Sequence, residues 1–367
     1  MFRASLFALL LALGPGCTTP QQGTPLTAAP RLMAEWEPAR GTLIVYPFEL
    51  PDALVVDLGQ DAELFVLVQD EDRSDAKAEL ARVGLAEGDY ALVPSGVSSP
   101  WTRDWGPHQV ARADGRRLLV DHVFKGYPWV PADCDINDIT YHWGTWEAED
   151  DAVFDIAAEL ALETVELPAI ATGGNLLTDG HGRAFCTQAQ VVENMALIAA
   201  GEPGHIDEAR YRELLSTHLG ITHLVVLENT EPLGIQHIDC WLKVVDAETL
   251  LMKRAPTDHP EHDPLERNLK VLEGLKTPSG GSYRILRIDC DRFAGDAIAA
   301  YTNSLRVNDV VYVPTYGIDA DVRALATYRE AYPDCEVRGY LHDTWRSFDA
   351  LHCRARALLA DPVTAGR

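Results

Sequence analysis

Gln236-His237-Ile238-Asp239-Cys240-Trp241-Leu242-Lys243 sets an imidazole and a carboxylate two residues apart at the head of a run, Asp239 to Val245, that has strand composition. In a strand, residues i and i+2 share a face, so this reading turns His237 and Asp239 toward one site. A structural histidine beside a solvated aspartate fits the same spacing. A His-x-Asp pair can also ligate a metal, but no third ligand stands out and no metal is expected.

Outward from this stretch, short β-rich runs alternate with helical ones. Residues 41–47, 63–69, 117–121, 222–227, 283–288 and 308–313 read as further strands. Residues 75–83, 151–162, 190–199, 206–219, 263–275 and 319–331 have helical composition and spacing. No long linker interrupts the alternation after about residue 31, which predicts a single catalytic domain over 31–367. Taken alone, the alternation predicts a doubly wound parallel sheet. Gly173-Gly174 opens no G-x-G-x-x-G pattern, so nucleotide binding is not indicated.

The chain has 367 residues, with 56 acidic against 31 basic, for a formal net charge of −25. Such a surface repels nucleic acid and anionic lipid, so neither is expected as a partner. Residues 1–17 read as an export signal: Arg3 supplies a positive charge, Ala4 to Leu13 is an apolar run, and Gly14-Pro15-Gly16-Cys17 ends it. Cys17 fits a lipoprotein cleavage site; simple cleavage and secretion is the alternative. An exported protein, touching a membrane only through a lipid on Cys17, is expected. Residues 18–30 read as a flexible tether.

Seven cysteines lack any C-x-x-C pairing. Cys186, Cys240 and Cys290 lie in apolar or strand-like runs and are expected to be small buried hydrophobes. Cys353 differs, because in Asp349-Ala350-Leu351-His352-Cys353-Arg354 it adjoins two groups able to lower a thiol pKa. Two other segments carry chemistry. Trp101-Thr102-Arg103-Asp104-Trp105-Gly106-Pro107 puts a carboxylate between aromatic rings at a turn, which suits a cation or merely packs a turn. Gly173-Gly174-Asn175 permits close backbone approach to a ligand, or is an ordinary loop-to-strand junction.

Together with Tyr301-Thr302-Asn303-Ser304-Leu305, and in this order, these segments resemble the Porphyromonas-type peptidylarginine deiminases, relatives of the agmatine deiminases, over about residues 31–360. The resemblance implies a pentein fold, a five-bladed ββαβ α/β propeller with its site in a central channel, in place of the doubly wound sheet. It implies Cys353 as nucleophile, His237 as acid/base, and Asp104 and Asp239 as the carboxylates that grip a guanidinium. It also implies Asn303 as a supporting polar residue, Trp101 as an aromatic wall, and Gly174 and Asn175 beside the substrate. The implied reaction is hydrolysis of a guanidinium, in peptide arginine or a small arginine derivative, to a ureido group and ammonia through a covalent thiouronium, without a cofactor. An agmatine-type deiminase, an amidinotransferase and an inactive guanidinium-binding protein remain as alternatives. Peptide-acting members of the family carry an arginine-bearing stretch for the substrate carboxylate, whereas residues 124–135 here contain Lys125 and no arginine.

Overall fold

The computed structural model describes residues 30–134, 140–141, 146–199 and 206–362. The export signal, Cys17 and all of the tether but Pro30 lie outside the described residues. No helix among the described residues is long and apolar enough to cross a membrane.

Among the described residues, a motif of two antiparallel strands with a third strand, reached by a helical crossover, parallel to the second occurs five times. Arg356–Leu359 pairs antiparallel with Ala39–Val45, which runs parallel to Glu63–Val68 across the helix Asp52–Asp61. Glu63–Val68 then pairs with Tyr90–Pro94 through the helix Arg73–Val83. The second unit joins His108–Ala111, Arg117–Val123 and Thr164–Ile170. The third joins Leu177–Thr178, Arg183–Thr187 and His223–Leu227. The fourth joins Leu242–Val244, Thr249–Arg254 and Arg284–Asp289, and the fifth Leu305–Val307, Val310–Thr315 and Glu336–Leu341. The doubly wound expectation is therefore corrected: no single parallel sheet spans the described residues.

Continuous apolar runs form the middle strands because they are covered on both faces. In Glu63–Val68, Leu64, Phe65, Val66, Leu67 and Val68 are all buried, with alternate residues in two different cores. Each such side chain contributes about 1.5–3 kcal/mol relative to exposure. The crossover helices cover the sheets: Tyr211, Leu214, Leu215 and Leu219 of Glu208–Leu219 pack with Leu167, Ala169 and Cys186. Gly220 ends that helix at φ 68°, a left-handed conformation that suits glycine.

Before the first strand of each unit the chain makes a tight turn that carries a residue singled out above. Thr102–Trp105 holds Asp104, Gly173–Asn175 holds Gly174, Ile238–Cys240 holds Asp239, and Leu351–Arg354 holds Cys353. The fifth turn, closed by Asn303 N–H donating to Ala300 O at 2.9 Å, holds Asn303. A separate ribbon, Leu233–Gly234, Pro128–Pro131 and Thr140–Tyr141, lies outside these units.

Candidate active site

Residues far apart in sequence meet where these turns converge. The expected strand over 239–245 is corrected, since Ile238–Cys240 is a single 3-10 turn and the strand begins at Leu242. His237 and Asp239 therefore do not share a strand face. They are aimed instead by Gln236, which adopts φ 59°. That left-handed geometry is uncommon for a side-chain-bearing residue and is held in place by surrounding bonds. The buried Gln236 amide donates to Val130 O at 2.9 Å and Glu231 O at 2.8 Å and accepts Glu231 N–H at 3.1 Å.

Gly174 is the meeting point. A Cβ there would lie 2.5 Å from Asp104 Oδ1, 2.7 Å from His237 Nδ1 and 3.3 Å from Asp239 Oδ2. All three side chains therefore crowd one spot that only glycine leaves open. Gly174 N–H donates to Asp104 Oδ1 at 3.1 Å, and Tyr127 Oη donates to Asp104 Oδ2 at 2.9 Å. Burial pushes the Asp104 carboxyl up; His237 opposes this and Asp239 reinforces it. His237 Nδ1 is 3.4 Å from Asp104 Oδ1 but has no hydrogen-bond partner among the described residues.

Cys353 sits beside this group. Its Sγ lies 4.0 Å from Asp239 Oδ2, Asn303 Nδ2 donates to it at 3.2 Å, and its backbone N–H donates to Asn303 Oδ1 at 3.2 Å. The sequence neighbours do not activate it as expected. His352 turns to Asp239 Oδ2 and Glu35 Oε2, each at 2.7 Å, and Arg354 forks onto Asp349 at 2.6 and 3.1 Å. A hydrogen bond with Cys240 favours the Cys353 thiolate, but burial and the carboxylates of Asp239, Asp349 and Asp104 push the thiol up to about 11.

A cavity of about 160 Å³ is lined by Asp104, Asp349 and Cys353 together with Trp101, Tyr127, Trp129, Ile235 and Phe348. Trp101 and Tyr127 meet edge to face at 5.1 Å. No lysine or arginine lines it among the described residues, and Lys125 stands elsewhere. The internal segments outside the description, 135–139, 142–145 and 200–205, contain no lysine or arginine. Asn175 does not line the cavity. Its side chain bonds Thr187 Oγ1 at 2.9 Å, Thr187 N–H at 3.1 Å and Ile238 N–H at 3.3 Å, which fixes the turn carrying Asp239.

Several residues were missed. Tyr127 and Trp129, not singled out as site residues, come from the stretch that lacks arginine and whose Trp, Tyr and Pro content suggests a differently shaped pocket. Cys240, expected as a small hydrophobe like Cys186 and Cys290, lies at the site, with Asn303 Nδ2 3.8 Å from its Sγ. Cys186 and Cys290 do sit in apolar cores. Glu35, with no local signal, accepts Arg103 Nη2 at 3.0 Å, His352 Nε2 at 2.7 Å and Arg306 N–H at 3.1 Å, and it also pairs with Lys243. Burial alone would raise Glu35, yet Lys243, His352 and Arg103 hold its carboxyl well below the usual range. His352 bridges the Glu35 and Asp239 carboxylates through its two ring nitrogens, and so it fixes the position of Asp239.

Comparison with known proteins agrees with this constellation. The model of the family described as Porphyromonas-type peptidyl-arginine deiminase matches residues 31–356. A protein of Selenomonas ruminantium provisionally named an agmatine deiminase is 22% identical over 362 residues, covering 86% of this chain and 92% of that protein. The solved agmatine deiminase of Enterococcus faecalis superposes with a TM-score of 0.74 at 17% identity, covering 90% of this chain and 96% of the other. A structure from Porphyromonas gingivalis, provisionally assigned as an arginine deiminase, gives 0.74 at 20% identity over 91% of this chain and 99% of its own. These neighbours establish a shared mixed α/β fold of the pentein type.

Proposed function

Since the chain belongs to the Porphyromonas-type peptidyl-arginine deiminase family, whose members are hydrolases of guanidino C–N bonds, we propose that it deiminates a guanidinium compound by covalent catalysis through Cys353. The observation that carries this reading is the convergence of Cys353, Asp104, Asp239, His237 and Asn303 beside an aromatic cavity that Asp104 and Cys353 line. We read the five ββαβ units as blades about a pseudo-fivefold axis, with the turns before their first strands facing that axis.

Asp104 and Asp239 accept the N–H donors of the planar cation, holding its carbon over Cys353. The cation offsets the carboxylates that otherwise oppose ionisation of the thiol. The thiolate adds to the guanidinium carbon, His237 delivers a proton to the departing nitrogen, and ammonia leaves an S-alkylthiouronium on Cys353. Water then adds to the same carbon and gives a proton to His237. The C–S bond breaks and the second proton of that water passes to solvent, releasing a neutral ureido product and restoring the thiolate. Asn303 Nδ2–H steadies the sulfur throughout.

The absence of a lysine or arginine from the cavity wall favours a substrate whose tail is neutral or cationic over one with a carboxylate. An agmatine-like amine meets the aromatic walls without an unpaired anion. Peptide arginine with its carboxylate in amide linkage is the second reading, favoured by the aromatic and apolar groups that make up most of the lining among the described residues. We also propose an exported enzyme, carried by residues 1–17 and tethered by 18–30.

The test is ureido-product and ammonia release from agmatine, free arginine and arginine peptides, together with mass spectrometry of enzyme quenched during turnover. Expected are an amidino adduct on Cys353 and product from substrates without a free carboxylate. Unchanged turnover in Cys353→Ala overturns the nucleophile assignment. Transfer of the amidino group to an added amine in preference to water identifies a transferase instead, and binding of guanidinium compounds without product identifies a binding protein.

A further inference from the structure

Beside the nucleophile stands a second buried sulfur for which the reaction above has no use. Cys240 Sγ lies 3.5 Å from Asp239 Oδ1, and Asn303 Nδ2 spans the two sulfurs, 3.8 Å from Cys240 and 3.2 Å from Cys353. The two Sγ atoms and an Asp239 carboxylate oxygen all lie within 4.8 Å of one another, and no other such group of histidine, cysteine and carboxylate ligands occurs among the described residues. Around a tetrahedral ion with metal–sulfur bonds of about 2.3 Å, two thiolates stand about 3.8 Å apart. Small side-chain adjustments therefore bring this set to bonding distance.

We propose that Cys240, Cys353 and Asp239 form a binding site for a soft divalent cation of the zinc and cadmium class, built on the nucleophile itself. Two thiolates and a carboxylate suit such an ion, and two sulfur ligands disfavour magnesium or calcium. On binding, two metal–sulfur bonds and one metal–oxygen bond form. The two thiol protons pass to solvent, and no electron changes hands. Water takes the remaining position of a tetrahedral ion. Asn303 Nδ2–H, already directed at both sulfurs, supplies the outer hydrogen bonding that steadies metal-bound thiolates. Entry is provided by the aromatic cavity, which Cys353 lines, and the carboxylate of Asp104 on its wall favours a cation.

One consequence rests on the proposed function: a loaded site has no free nucleophile, so the ion and the guanidinium substrate exclude each other. Metal binding itself does not rest on that reading. The experiment titrates Co²⁺ into the full chain, reduced with a phosphine, and follows the sulfur-to-cobalt charge-transfer absorption. Zn²⁺ then displaces the Co²⁺. Expected are one ion per chain, roughly half the band in Cys240→Ala or Cys353→Ala, affinity lowered by at least about tenfold in each, and no band in the double variant. Cys240→Ser, closer in volume and polarity, serves if Cys240→Ala fails to fold by circular dichroism. Absence of the band in wild type overturns the site. A band that survives in the double variant also overturns it, by placing the ion on another cysteine. Zn²⁺ inhibition of turnover at the concentration that displaces Co²⁺, relieved by substrate, completes the support. A two-sulfur band in a chain whose turnover ignores Zn²⁺ leaves the site standing and sinks the nucleophile reading. An active chain with no band does the reverse.

Discussion

Asn303 clamps Cys353 from both ends of one amide: its Nδ2 donates to Sγ at 3.2 Å while its Oδ1 accepts the Cys353 backbone N–H at 3.2 Å. The backbone contact fixes which end of the amide faces the sulfur, so the hydrogen bond to sulfur is built in before substrate arrives. Such a donor favours the thiolate over the thiol.

Asn303→Ala therefore should lower kcat by roughly tenfold to a hundredfold, at the low end of what one preorganised donor contributes. The free-enzyme thiol, already pushed up to about 11, should titrate still higher in the variant. Its iodoacetamide alkylation rate, measured against pH, should rise tenfold per unit through the neutral range in both proteins and reach its plateau later in the variant. An unshifted alkylation profile would show that Asn303 does not stabilise the thiolate.

Gly174→Ala should damage turnover much more than folding. The new Cβ comes within 2.7 Å of Asp104 Oδ1 and His237 Nδ1, and both atoms end side chains that can yield. Displacing them by about 1 Å costs on the order of a hundredfold in rate, because the reacting geometry is lost. Steady-state kinetics beside a thermal melt checks this: a normal melting temperature with normal kcat would mean that the crowding at Gly174 has no bearing on catalysis.

Glu35→Gln should destabilise the protein by about 3–5 kcal/mol at neutral pH, because it strands Arg103, Lys243 and His352 around a neutral amide. The folded carboxyl sits below its unfolded value, so its contribution is fully present above the unfolded pKa, about 4.3, and fades as pH falls through the folded pKa. The difference in denaturation midpoint between wild type and variant should thus be largest above about pH 5 and shrink in more acidic buffer. A difference that grows on acidification would contradict the assignment of Glu35 as the buried anion.

The sequence by itself determined the local elements and picked out most of the polar groups that the fold brings together. Apolar runs such as Leu64 to Val68 form strands wherever they lie, and the six helical stretches read from composition all appear within a few residues of their expected bounds. Cys353, Asp104, Asp239, His237 and Asn303 were legible because each stands in a distinctive short motif. The helix Asp52–Asp61 was not, since its valines and Gly59 blur the helical period. The fivefold repeat was hidden for a related reason. Its units share a pairing pattern and a polar turn before the first strand, but their core side chains and crossover lengths differ. Only the tertiary structure decided that Cys240 belongs at the site, that His352 serves Asp239 in place of its neighbour Cys353, and that Glu35 anchors both. Those relations depend on which way a side chain points after a tight turn. At Gln236 and at the 3-10 turn that follows, that direction is set by hydrogen bonds to Val130 and Asn175, residues far away in the chain, which no local pattern records.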